Sequence, residues 1–162
     1  MRTTPSPRHP QWEQRLHEFV LANIARPYVW SQHDCLIFAA NVAKAVIGKD
    51  FAKGHRGKYK SHASAYSYLR KAFGVKSPEA LLDTLFPRKA VGFAGIGDLV
   101  LCRVDLAEGA DGAPTVADLP GLCMGAFALI AGETGLIKVP RGDRWLKAWA
   151  VGEHHSGEMA DG

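Results

Sequence analysis

Cysteine is scarce here: only Cys35, Cys102 and Cys123 occur among 162 residues, widely spaced and odd in number. That excludes a disulfide framework and makes a reducing compartment the simpler expectation. The spacing also lacks the short paired-cysteine signature of zinc or iron–sulfur centres, so neither a metal nor a cofactor is expected. Histidine is missing from the whole stretch between Ala63 and Glu153. No apolar run approaches the length needed to cross a bilayer. The opening MRTTPSPRHPQW has no apolar run after its charges, so no secretory signal is expected. Concentrated basic runs are absent too. The net charge of +4 is spread along the chain, which argues against a specific nucleic-acid patch but suits an anionic polymer. Gly95-x-Gly97 lacks the following helix and the further glycine of a dinucleotide motif.

What is present has ordinary globular character. Hydrophobic residues make up 47% and charged residues 22%, enough for one domain with a real core. Residues 1–10 hold three prolines and little periodicity, and are expected to form a flexible arm. Residues 11–152 form the expected single domain, and residues 153–162 a polar flexible tail.

Apolar residues at Trp12, Leu16, Phe19, Val20 and Ile24 recur at helical spacing, ended by Arg26-Pro27. The run Leu36–Ile47 is nearly continuously apolar and small. With Asp34 as N-cap and Gly48 as C-cap, it predicts the most buried helix. Ser61 starts a third helix carrying Tyr66, Leu69 and Phe73. Ser77-Pro78-Glu79 starts a fourth, through Leu81, Leu82 and Leu85. The second half changes period: strands are expected over 97–104, 122–132, 136–140 and from Trp145 to Val151, with a long loop at 107–120 and a hairpin turn at 133–135. Helices first and an antiparallel sheet second define an α+β class.

The chemistry centres on Cys35. As the first residue after a helix cap it meets unpaired backbone N–H groups and the positive end of the dipole, which together lower a thiol pKa and activate a nucleophile. The alternative is a small core residue at a helix start. Asp98 in GIGDLV fits a turn whose carboxylate bonds local backbone. Lys53, His55, Arg56 and Lys58 form a short basic cluster, either a solvated loop or a contact for an anionic partner.

The set Pro27-Tyr28-x-Trp30-x-x-x-Asp34-Cys35, followed by a small apolar helix and later by Gly97-Asp98-Leu99-Val100, resembles the NlpC-type cell-wall peptidases, compact relatives of papain-like cysteine peptidases. The segments Gly48-x-Asp50, Arg56-Gly57-x-Tyr59 and Trp149-x-Val151-Gly152 extend the resemblance to a phage-encoded NlpC-like subgroup, over nearly the whole chain. The resemblance implies a papain-type fold with N-terminal helices packed on a C-terminal antiparallel sheet. It implies Cys35 as nucleophile, a histidine base from a sheet strand, and peptidoglycan stem peptides as substrate. It also implies tail-tip proteins as partners, with synthesis in the host cytoplasm and a place in the virion tail. Tyr28, Trp30 and Asp34 are the candidate substrate-binding residues, though Tyr28 and Trp30 equally suit a seal over the core.

The sequence departs from that pattern at the base. Cys123 stands where the strand histidine is expected, and a thiol lacks imidazole titration near neutral pH. His62, His55 and His33 are the candidate replacements; His154 and His155 lie on the polar tail. Two functions stay open: an active cysteine endopeptidase on peptidoglycan, or a catalytically inactive module that keeps the fold for tail assembly.

Overall fold

The computed structural model describes residues 6–106 and 115–152. Four helices come first: α1 (Trp12–Asn23), α2 (Cys35–Ile47), α3 (His62–Phe73) and α4 (Pro78–Leu85). Strands follow: β1 (Arg88–Lys89), β2 (Leu99–Leu106), β3 (Thr115–Cys123), β4 (Phe127–Gly132), β5 (Gly135–Pro140) and β6 (Trp145–Trp149). All pair antiparallel in one sheet of order β1-β6-β2-β3-β4-β5. The α+β class and the helices-then-sheet order are as the sequence predicts.

Local chemistry sets the helix ends. The Asp34 carboxylate accepts from the Ile37 amide at 2.8 Å, and Gly48 closes α2 in the left-handed conformation at φ 79°. Ser61 and Ser64 form a reciprocal capping box at the start of α3. Ser77 caps α4, with Pro78 in its first turn. The three N-caps satisfy amides that have no intrahelical partner, and the Gly48 amide donates to the Lys44 carbonyl at the end of α2.

Alternation along the strands sends side chains to two cores. Leu99, Leu101, Leu122, Leu129 and Trp149 face α1 and α2, and Phe38, Val42 and Val46 of α2 are fully buried against them. Val100, Cys102, Cys123, Ala128, Ile130 and Trp145 face the other way. The sheet curls over this second cluster, so that Trp145 Nε1 of β6 donates to the Val139 carbonyl of β5 at 3.2 Å although three strands separate them.

Two expectations change. The strand expected over 122–132 is two strands, because residues 124–126 turn the chain at Gly125, φ 97°. Of the loop expected over 107–120, residues 115–120 belong to β3, paired along β2 from Leu106 to Leu101. Pro120 is tolerated because β4 joins β3 only at Leu122 and Cys123, leaving the proline with a single neighbouring strand. Residues 107–114 of that loop, residues 1–5 of the arm and the tail 153–162 lie outside the described residues.

Within the expected arm, Arg8 is built into the fold at 3% exposure. Its guanidinium donates to the carbonyls of Val151 (3.0 Å) and Ile96 (2.8 Å) and to Asp98 (3.0 Å). Asp98 also accepts from Lys89 Nζ at 2.7 Å and from the amides of Gly95 and Val151. Asp98 therefore does bond its local turn, and in addition ties the first and last described segments together.

Candidate functional site

The site is built at the start of α2. Residues 29–33 make a tight turn, closed by a bridge between Val29 and His33 and containing Ser31 at φ 66°. A left-handed residue other than glycine needs outside support. Here the Ser31 amide donates to Asp34 at 2.8 Å and its hydroxyl accepts from the Lys58 amide at 3.0 Å. Asp34 takes a third donor, the Tyr59 hydroxyl, at 2.7 Å. The carboxylate, 2% exposed, is thus a cap and a brace for the loop that delivers Cys35, and it accepts only neutral donors.

Cys35 is 8% exposed. Burial, reinforced by the neighbouring Asp34 charge, pushes its thiol up from 9.0 to about 12. The Tyr28 hydroxyl and the amides of Cys35 and Leu36 act in the opposite direction without offsetting it. The lowered pKa expected from the helix start is therefore not what the fold produces: desolvation outweighs the helix-end amides. At neutral pH the sulfur is a thiol.

Around it stands an aromatic wall. The Trp30 ring meets Tyr28 at 5.1 Å, Tyr59 at 6.5 Å and His62 at 6.3 Å, and His62 lies 4.6 Å from Tyr66. Burial raises the pKa of Tyr28, Tyr59 and Tyr66, with the Cys35 charge contributing to each. Tyr28 and Trp30 are both half-buried, so the wall covers the core and faces outward at once.

The three candidate histidines go to three places. His62 is exposed at the start of α3, within the same aromatic wall as Cys35. His55 turns to the other side of α3, its Nδ1 2.6 Å from the Tyr68 hydroxyl and its ring 4.8 Å from Phe73. His33 is fully buried, its ring edge-on to Phe38 at 6.1 Å, and neither ring nitrogen has a hydrogen-bond partner. Burial lowers its pKa, with the Arg26 charge adding to the effect and Asp34 opposing it. Among the described residues no histidine is hydrogen-bonded to Cys35.

Cys123 occupies the second core at 0% exposure, while Leu122 beside it faces α2. Side chains on a strand alternate faces. Cys123 thus lies on the opposite sheet face from Leu122 and fills the inside of the curl. Burial raises its pKa, and Arg141, with Nη2 at 3.7 Å, opposes that. Cys102 shares this core, its thiol pushed up by burial to about 12. The Arg56 member of the basic loop is paired with Asp50 at 3.0 Å and bonds Asn41 at 2.6 Å, which fixes the loop to α2. Among the described residues, no group of three or more His, Cys, Asp or Glu side chains is placed to hold a metal ion. No helix among them is long and apolar enough to cross a membrane.

Tyr59 and Arg8 are not among the functional residues expected from the sequence. Arg56-x-x-Tyr59 was visible as a segment, but only the returning loop shows that its tyrosine completes the Asp34 site.

These features define an α+β domain with a buried, neutral cysteine at the start of its central helix, framed by an aspartate and four aromatic residues. The chain belongs to the family described as a domain of unknown function, DUF6950, whose model matches residues 7–151. No curated protein and no solved structure matches it.

Proposed function

We propose that this chain is a phage tail-tip or tail-assembly module with an NlpC-like, papain-type arrangement that holds its cysteine as structure and does not cleave peptides. The observation that carries the reading is the state of Cys35: a buried thiol with a pKa of about 12, and no described histidine bonded to it. Cysteine catalysis needs a thiolate and a general base in hydrogen-bond reach. The tail assignment is supported by the ordered segments around Tyr28, Trp30, Cys35 and Asp98 that resemble the phage-encoded subgroup. Other tail-tip proteins are the partners on this reading, and the virion tail its destination after synthesis in the host cytoplasm.

A second reading keeps the enzyme. His62 shares the aromatic wall with Cys35, and movement of the exposed ring towards the sulfur would assemble a cysteine–histidine pair acting on peptidoglycan stem peptides. Tyr28 and Trp30 would then floor the substrate groove.

Digestion of purified peptidoglycan separates the two. The expected result is no muropeptide release by the wild-type protein, alone or with tail-tip proteins added, against an active cell-wall peptidase as control. Release that disappears in both Cys35→Ala and His62→Ala, with folding retained, would overturn the structural reading in favour of the enzyme.

A further inference from the structure

Between α2, α3, α4 and the loop carrying Phe51 and Tyr59 lies a cavity of about 140 Å³. It lies on the helical side of the molecule, at the margin of the core between helices and sheet, to which Leu82 and Phe86 of its lining belong and against which Phe51 and Leu85 pack. Five aromatic rings line it: Phe51, Tyr59, Tyr68, Phe73 and Phe86. Protein interiors are otherwise close-packed, and an apolar space of this size has room for one benzene-sized molecule.

The cavity is not uniformly apolar. The Tyr59 hydroxyl is committed to Asp34. That leaves one polar edge, the pair formed by His55 Nδ1 and the Tyr68 hydroxyl at 2.6 Å. Among the described residues, His55 Nε2 has no hydrogen-bond partner. Access is open on this side, since Phe73 is 37% exposed and Leu36, Ala40 and His55 are half-buried. Few polar groups set into an aromatic lining are what orients a small ligand, and ring edges and faces around the space favour an aromatic occupant.

We propose that this cavity is a binding site for a small aromatic molecule of one ring bearing a hydroxyl group, a phenol, with the ring among Phe51, Phe73 and Phe86 and the hydroxyl at the His55–Tyr68 edge. The cavity adjoins the Cys35 site, with which it shares Tyr59, and Leu36 of its lining directly follows Cys35; the proposal does not depend on the tail-assembly reading. His55, which the sequence places in a basic loop, is on this view a ligand-orienting residue.

The test is titration of the full chain with phenol and with benzene, followed by protein NMR. Saturable binding of phenol is expected at millimolar concentration, with shifts confined to the residues lining the cavity. Phenol should bind about three- to ten-fold tighter than benzene, the worth of one hydrogen bond. Ala40→Phe, which puts a ring into the space, should abolish binding of both, with Leu85→Phe as the second filling variant should the first not fold. His55→Phe should keep benzene binding and remove the preference for phenol. Absence of binding to the folded wild-type chain, or binding that survives filling, would overturn the site. Equal affinity for the two probes in the wild type would overturn the assignment of the hydroxyl to the His55–Tyr68 edge.

Discussion

Asp34 and Asp98 are two buried carboxylates, at 2% and 3% exposure, and they are satisfied in opposite ways. Asp34 accepts from two nearby amides and a tyrosine hydroxyl, all neutral. Asp98 accepts from two cations, Arg8 and Lys89, as well as two amides. The first holds a local object, a turn and the helix it starts. The second holds distant ends of the chain, with Arg8 90 residues away and Val151 53 residues away. Losing the acceptor therefore has different consequences. Without Asp34, neutral donors are stranded; without Asp98, a guanidinium with 1% side-chain exposure is stranded as a charge. The cost of an unpaired buried charge exceeds that of an unpaired buried neutral donor.

The contrast can be broken by measurement. Asp98→Ala should be the more damaging change, costing about 3–5 kcal/mol in urea unfolding, and a double variant with Arg8→Met should recover part of that loss. Asp34→Ala should cost about 2–3 kcal/mol through the lost cap and the stranded Tyr59 hydroxyl. An Asp34→Ala loss equal to or above the Asp98→Ala loss would show that the neutral network carries more of the fold than its donors imply.

The titration of Cys35 sharpens the comparison on the Asp34 side. Its folded value is raised from 9.0 to about 12, so the folded state retains a proton that the unfolded chain gives up. The associated stability is whole below about pH 9 and is lost as pH rises towards 12. Native-state alkylation of Cys35 by iodoacetamide should accordingly stay slow from pH 7 to 9 and become fast only on unfolding. Rapid labelling at pH 7.5 would place a thiolate there and undo the structural reading of the cysteine.

The smallest expected effect belongs to His33, which is buried and unpaired and has a lowered pKa. Here the unfolded chain binds the proton more readily. The contribution is full above the ordinary histidine value of 6.5 and is lost as pH falls from there through the lowered folded value. His33→Gln should flatten this acid limb in denaturant titrations at pH 5 to 7. An unchanged limb would assign the acid sensitivity to other groups.

The order of the helices, their caps at Asp34, Ser61 and Ser77, and the strand-rich second half were legible because each rests on neighbours within a few residues. Periodicity and capping are local codes. The division of 122–132 at Gly125 was not legible, because an apolar run reads alike whether the chain continues or turns back. Nor was the pairing of Thr115–Pro120 with β2, since a strand of small and polar residues is specified by its partner.

The site divides along the same line. The sequence by itself determined that Cys35 opens the central helix behind an aspartate cap, with Tyr28, Trp30, His33, His55 and His62 close along the chain. Only the tertiary structure decided the state of that cysteine, because burial depends on every element packed around it and here outweighs the helix-end amides. The three histidines likewise went to an aromatic wall, a cavity edge and a sealed interior. Which way a loop turns its imidazole is a matter of what lies beside it in space, and sequence proximity carries no information about that.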